Sequence, residues 1–140
     1  KNPYFYINVV KEKPDEGDID DMFDFMTKFY HSNPNLMFGK IYNLSNLGLV
    51  SVSEIHHFSK NLTKLTPLTN KQVYSSAVII KNKIIKTVLD VFLTLYKNTR
   101  PIRVVENLKD AKLFVKDERR KCWDNGNQLR SIDPDNQEIF

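Results

Sequence analysis

VYSSAVIIKNKIIKTVLDVFLTLYKNTRPIRVV, residues 73–105, is the stretch that decides the fold. Residues 73–80 are rich in β-branched side chains and end in an apolar run, which is typical of a strand buried on both faces. Asn82 is a preferred helix N-cap, and after it apolar residues recur every three or four positions, as on one face of an amphipathic helix. Pro101 ends that helix, and residues 102–105 resume an extended pattern. The stretch therefore predicts a right-handed βαβ unit with parallel strands.

The rest of the chain adds strands and helices to this unit. Residues 4–10 (YFYINVV) and 38–44 (FGKIYNL) are aromatic and β-branched, which is typical of strands. Apolar side chains at helical spacing predict three further helices, and the second of these is expected to end near Pro67. Their apolar stripes lie within residues 19–30, 55–65 and 108–115. The alternation predicts a single small α/β domain with a four- to five-stranded, mostly parallel sheet and about four helices.

Polar residues at capping positions mark where these helices start. Asp18 or Asp20 is expected to cap the first helix, and Asn107 the last. Ser51 has Glu54 three residues further on, which is the spacing of a capping box. Each proposed start is therefore supported by a side chain that can accept a hydrogen bond from the first turn.

The chain is expected to divide into a domain, residues 1–121, and a polar C-terminal extension, residues 122–140. The extension has no apolar periodicity, so it lacks a core of its own and would be ordered only against the domain or a partner. Trp123 stands at its start. A large aromatic side chain in that place either folds back on the domain or anchors a contact with a partner.

The composition is that of a soluble globular chain, with 41% hydrophobic and 27% charged residues. The net charge of +4 forms no basic stripe with interleaved aromatic residues, so nucleic acid is not an expected partner. No apolar run approaches the roughly 18 residues needed to span a bilayer, so no transmembrane segment is expected. The single cysteine, Cys122, excludes an intrachain disulfide and favours a reducing intracellular compartment, either the cytosol or an organelle matrix.

Sequence motifs for catalysis or cofactor binding are absent. Neither a glycine-rich phosphate loop nor a GxSxG nucleophile motif occurs, and the chain has only 4 glycines. His56 and His57 are adjacent, so on a helix their side chains point about 100° apart and cannot easily bind one metal ion. The acidic residues between positions 15 and 24 lack the ligand order of a calcium loop. We therefore expect a protein that is not an enzyme and uses no metal or cofactor.

Four local patterns follow one another in a familiar order. They are KIYNLS (40–45) at a strand exit, the helix start SVS (51–53), residues 73–80 followed by a long helix, and PIRVV (101–105) leading through ENL into KDAKLF (109–114). In this order they resemble the STAS/SpoIIAA-like family of small α/β domains, to which anti-sigma-factor antagonists belong. The resemblance covers residues 4–115 and implies the family's fold and a regulatory role through protein–protein contacts.

For such a role we expect the loop of residues 43–53 and the start of the second helix to form the contact face, with the main helix as a further candidate element. Asn43 and Ser45 at the strand exit, with Ser51 and Ser53 at the helix start, are the candidate interaction or phosphorylation residues. A phosphate on either helix-start serine would lie where backbone N–H groups and the helix dipole favour negative charge. Regulatory members of the family carry an aspartate-serine-glycine motif there, whereas neither of these serines has an aspartate before it or a glycine after it. Ser51 alternatively serves only as the helix cap.

The leading hypothesis is a non-enzymatic domain that acts through protein partners, including those of a large complex, and reaches membranes only through them. Two alternatives stay open. In one, the chain is a constitutive structural or accessory subunit of a larger multiprotein assembly, with its tail along a neighbour. In the other, it binds a small anionic ligand or a lipid at the helix N-termini, outside the strand ends.

Overall fold

Strands and helices alternate along the whole of the described chain. The computed structural model describes residues 4–48, 50–95 and 100–124, with only the backbone given for Phe92, Leu95 and residues 122–124. The elements are β1 (Tyr4–Asn8), α1 (Glu16–Ser32), β2 (Phe38–Asn43), α2 (Val52–Gln72), β3 (Val73–Ile79), α3 (Lys83–Leu95), β4 (Ile102–Val105) and α4 (Leu108–Asp124). The predicted α/β class and the predicted βαβ unit β3–α3–β4 are confirmed.

The four described strands form one sheet in the order β1-β2-β3-β4, and each neighbouring pair is parallel. Tyr6, Ile41, Ala77 and Arg103 lie side by side in one row across it. Because spatial order follows chain order and such crossovers are right-handed, α1, α2 and α3 lie together on one face. Helix α4 follows the last strand and packs on the opposite face, against β2, β3 and β4.

The two faces of the sheet bury two separate sets of side chains. Phe5, Phe38 and Tyr42 point toward α1, α2 and α3 and belong to the larger core. Ile41 and Ala77 point the other way, toward α4. Strand β3 is buried along its entire length, as expected of a strand covered on both faces.

Helix α1 begins earlier than the sequence analysis predicts, because Asp15 is its N-cap and neither Asp18 nor Asp20 is. The Asp15 carboxylate accepts a hydrogen bond from the N–H of Asp18 at 2.8 Å. The Asp18 carboxylate accepts one from the N–H of Asp15 at 3.0 Å. The prediction was wrong because Asp18 is the N3 residue of this capping box and not its N-cap. Aspartate occupies both positions here, so the residue type alone does not distinguish them.

The predicted end of α2 near Pro67 was also wrong, since the helix continues through Gln72 with the proline inside it. A proline within a helix removes one hydrogen bond and is costly. The following turn is held by tertiary contacts, since Thr69 and Gln72 are buried. The Gln72 side-chain amide also donates to the carbonyl oxygen of Tyr30 on α1 at 3.2 Å. The burial of this last turn offsets the loss of the backbone hydrogen bond at Pro67.

Helix α4 continues to Asp124, past the last apolar residue of the sequence pattern. Asn107 caps it as predicted, accepting from the N–H of Asp110 at 2.8 Å. The backbone of residues 122–124 is therefore helical, although these residues were assigned to the extension. Residues 125–140 and the Trp123 side chain lie outside the described part of the chain. Within that part, no helix combines the length and the apolar character needed to cross a membrane.

Candidate functional site

An apolar cavity of about 340 Å³ lies at the carboxyl edge of the sheet. Ile7, Leu44 and Ile80, each at or just after the end of a strand, form its floor. Its volume falls within the range of about 300–1,000 Å³ that is usual for ligand pockets. The carboxyl edge is also where open parallel sheets commonly bind their ligands. The cavity is therefore the candidate functional site.

The three helices on this face supply the walls of the cavity. Their contributions are Ile19, Met22, Phe25 and Met26 of α1, Ile55 and Phe58 of α2, and Ile85 and Leu89 of α3. These residues recur at three- and four-residue steps, so each helix turns its apolar stripe toward the same space. The sequence pattern that builds the core thus also lines the cavity.

The loop between β2 and α2 closes one side of the cavity, because Leu44, Leu47 and Val50 line it. The N–H of Gly48 donates to the carbonyl oxygen of Glu12 at 2.8 Å, which ties this loop to the loop between β1 and α1. The loop that was expected to belong to the contact face is therefore a wall of the cavity.

Asn43 and Ser45 hold the start of this loop in place. The Asn43 side-chain amide donates to the Tyr6 hydroxyl at 2.6 Å, and its oxygen accepts from the Ser45 hydroxyl at 2.6 Å. The same oxygen accepts from the Ser45 N–H at 3.1 Å. This is a side-chain turn of the kind that asparagine forms at strand exits. Neither residue is among those that line the cavity, and an interaction role for either stays a prediction.

Ser51 caps α2 as its spacing to Glu54 predicts. Its hydroxyl accepts from the Glu54 N–H at 3.1 Å, and its own N–H donates to the Glu54 carboxylate at 2.9 Å. Ser53 lies exposed in the first turn of the helix. A phosphate on Ser51 would lie beside the Glu54 carboxylate, whereas one on Ser53 would leave the capping box intact. Phosphorylation at either serine stays a prediction.

The start of each helix at this edge is already satisfied by the chain itself. Asp15 caps α1 and Ser51 caps α2. The Asn82 side chain accepts from the N–H groups of Ile84 and Ile85 at 3.0 and 3.3 Å at the start of α3. At each helix start, side-chain oxygens occupy one or two of the N–H donors that a bound anion would use. The geometry does not favour the hypothesis of an anionic ligand at the helix N-termini.

The charged side chains that line the cavity are mostly acidic. They are Asp18, Asp21, Glu54 and Lys11. The ammonium of Lys11 lies 2.7 Å from the Asp18 carboxylate, and this hydrogen bond raises the pKa of Lys11 and lowers the pKa of Asp18. With one carboxylate paired to the lysine, the lining keeps an excess of negative charge, and the exposed Lys81 and Lys83 at the start of α3 lie outside it.

Several apolar side chains that line the cavity or lie close in sequence to its lining are exposed. Val10 follows β1 and is 72% exposed, and Phe25 lies beside it in the lining. Val52 and Ile84 occupy the first turns of α2 and α3 and are 63% and 67% exposed. Val52, one residue after the cap Ser51, and Ile84, two residues after the cap Asn82, were the available sequence signal for this surface, and they were not among the predicted site residues. Grouped exposed apolar side chains of this kind mark interaction sites.

His57 links α1 to α2 on the outside of the helical layer. Its Nε2 lies 2.7 Å from the Asp20 carboxylate, and this hydrogen bond lowers the pKa of Asp20. Asn61 donates to the same carboxylate at 3.4 Å. The His56–His57 pair thus contributes a contact between helices, and among the described residues no three potential metal ligands group together.

Replacing Ser51 with alanine is expected to lower the free energy of unfolding by about 1 kcal/mol, because the capping box loses its acceptor. Ser53→Ala is the matched control and should change stability by less than about 0.5 kcal/mol, since the side chain is exposed. Urea unfolding of both variants measures the difference. Equal losses would show that the capping box does not hold the start of α2.

No protein-family model and no curated protein matches this sequence. A solved structure is similar in fold: an uncharacterized protein of the DUF3478 family from Shewanella loihica PV-4, described as having a SpoIIAA-like fold. The two structures agree with a TM-score of 0.51 over 80% of this chain and 82% of that one, at 14% sequence identity. At this identity the likeness concerns the fold. With its parallel four-stranded sheet and four described helices, the chain therefore has the SpoIIAA-like fold that the resemblance predicted.

Proposed function

We propose that this chain is a non-enzymatic interaction domain whose protein partner docks at the carboxyl edge of the sheet. The observation that carries the proposal is the apolar cavity with exposed apolar side chains in its lining or close to it in sequence. An apolar cavity beside exposed apolar residues is costly to leave in water and marks a surface that a partner covers. The docking surface comprises the cavity, residues 43–48 and 50–53, Val10 and Ile84.

The chemistry of the lining supports binding more than catalysis. Among the described residues, four titratable groups line the cavity. Two of these, Lys11 and Asp18, form an ion pair with each other. A third, Glu54, accepts a hydrogen bond within the capping box of α2. The lining offers no hydroxyl or thiol nucleophile next to a base, which is the arrangement that covalent catalysis requires.

The structural-subunit hypothesis would use the same surface with a permanent neighbour. Its additional element, the extension with Trp123, lies outside the described side chains and adds no support. A regulatory contact and a permanent contact differ in the lifetime of the complex, so the rate of dissociation distinguishes them.

A photo-crosslinking amino acid at position 10 is expected to capture a protein partner of defined mass in cells that express the full chain. The same probe at position 113 is the matched control, because Leu113 is exposed on α4, on the opposite face of the sheet. The crosslinked proteins are identified by mass spectrometry. Crosslinks at position 113 alone, or no protein crosslink at position 10, would overturn the proposed docking surface.

A further inference from the structure

We infer that the cavity accepts bulky apolar side chains from a partner segment in which lysine or arginine flanks the apolar residues. This inference rests on the proposed function and names the chemistry of the partner. It combines two observations, the volume of the apolar cavity with its buried walls and the excess of carboxylates among the charged side chains that line it.

The buried walls of the cavity can be reached only by anchoring side chains that a partner inserts. Its walls include Met26, Phe58 and Leu89, which belong to the larger core and are nearly inaccessible to solvent. A side chain that reaches these walls leaves water entirely, as the central anchors of protein interfaces do. About 340 Å³ is more than one leucine or phenylalanine side chain fills, so more than one anchor fits. Anchors at helical spacing along one segment would meet this need.

The charges around the cavity select the residues that flank the anchors. Asp21 and Glu54 line the cavity, and Asp18 is the carboxylate that Lys11 already binds. Asp24 extends the acidic surface along the exposed side of α1. Cationic flanking residues would meet opposite charges here, whereas an acidic segment would bring like charges together. The same repulsion disfavours a fatty-acid carboxylate or a phosphate head group beside the carboxylates of the lining.

The loop between β1 and α1 and the loop between β2 and α2 are joined, so the site has its shape before a partner binds. The hydrogen bond from the Gly48 N–H to the Glu12 carbonyl oxygen links them. Next to Glu12 in the same loop, Lys11 forms an ion pair with Asp18 that links this loop to α1. A preformed site loses less conformational freedom on binding, so a short segment can bind measurably.

The test uses short synthetic peptides and the full chain labelled for NMR. The first peptide has one tryptophan and two leucines at helical spacing, flanked by lysines. The second replaces its lysines with glutamates, and the third keeps the lysines and replaces the apolar residues with serine. We expect the first to bind and to shift the amide signals of Ile7, Leu44 and Leu89. The other two should bind about tenfold more weakly or less, and added salt should weaken the first.

Variants of the chain assign the binding to this site. Asp21→Asn removes an exposed carboxylate from the rim and should weaken the lysine-flanked peptide several-fold. Asp117→Asn on α4 is the matched control and should leave the affinity unchanged. Val50→Trp at the wall of the cavity should abolish the signal shifts by filling the space. Circular dichroism checks that each variant is folded.

The outcomes separate this inference from the proposed function. Equal binding of the lysine- and glutamate-flanked peptides at the cavity would overturn the charge inference and leave the docking surface standing. Binding of a cationic alkylamine at the cavity, without binding of any peptide, would make the occupant a small amphiphile and overturn the inference as well. A missing protein crosslink at position 10 would instead remove the proposed function itself.

Discussion

Replacing Lys40 with methionine is expected to raise the free energy of unfolding by roughly 4 kcal/mol at pH 7. Lys40 lies in the middle of β2 and is only 1% exposed. Its ammonium is 5.5 Å from the centre of the Tyr30 ring and 5.1 Å from that of the Tyr42 ring. Two aromatic faces replace only part of the lost hydration, so burial lowers the pKa of Lys40 to about 7. Methionine fills a similar volume without the charge.

The pH dependence of stability identifies the cause. The pKa of Lys40 is about 7 in the folded chain, compared with the ordinary value of 10.5 that applies to the unfolded chain. Between these values the unfolded chain holds a proton that the folded chain lacks, so stability rises with pH by up to about 1.4 kcal/mol per unit. The contribution of Lys40 to stability is least favourable below pH 7, where both states are protonated.

Urea unfolding across the pH range tests this expectation. The difference in stability between Lys40→Met and the original chain should shrink as the pH rises from 7 to 10.5. Lys60→Met on the exposed side of α2 serves as the control, with an effect within about 0.5 kcal/mol at every pH. A difference that does not change with pH would mean that the charge of Lys40 is not the source of the effect.

Replacing Gly39 with alanine is expected to lower the free energy of unfolding by roughly 2–3 kcal/mol, because the added methyl group has no room. A Cβ on Gly39 would overlap Cγ1 of Val115 on α4 and lie 3.1 Å from Cε2 of Tyr74. Both neighbours are fully buried. Strand β2 is paired on both sides, so its backbone cannot move away without loss of hydrogen bonds.

A double-mutant cycle measures whether this close contact is the cause. Val115→Ala removes the methyl group that the new side chain would meet. In the Val115→Ala background, Gly39→Ala should therefore be at least about 1 kcal/mol less destabilising than in the original chain. Chemical unfolding of the four proteins yields this coupling energy. Additive losses would show that α4 does not press on β2 at this glycine.

The docking surface illustrates what local patterns reveal and what they miss. The resemblance drew attention to the loop of residues 43–53, and this loop does form a wall of the cavity. Of the four residues singled out in it, Asn43, Ser45 and Ser51 make hydrogen bonds to other residues of the fold, and that of Asn43 to Tyr6 joins β2 to β1. The residues that give the surface its apolar character include Val10 and Val52, whose exposure depends on what packs nearby.

The sequence by itself determined the elements and their order. Apolar periodicity reports secondary structure directly, because it reflects the geometry of one helix or one strand. The caps Ser51, Asn82 and Asn107 were readable for the same reason, since each acts within three residues of itself. The end of α2 was not readable, because contacts of its last turn with α1 outweigh the local effect of Pro67.

Only the tertiary structure decided the features on which function and stability depend. In the sequence, Gly39 and Lys40 look like ordinary residues of a strand. Their surroundings are set by the packing of α4 on one face of β2 and of the aromatic core on the other. The residues that line the cavity likewise look like ordinary core positions. Whether they fill the space or leave about 340 Å³ open depends on how far apart three helices and three strand ends lie. That distance results from the packing of segments remote in the chain, and no local pattern encodes it.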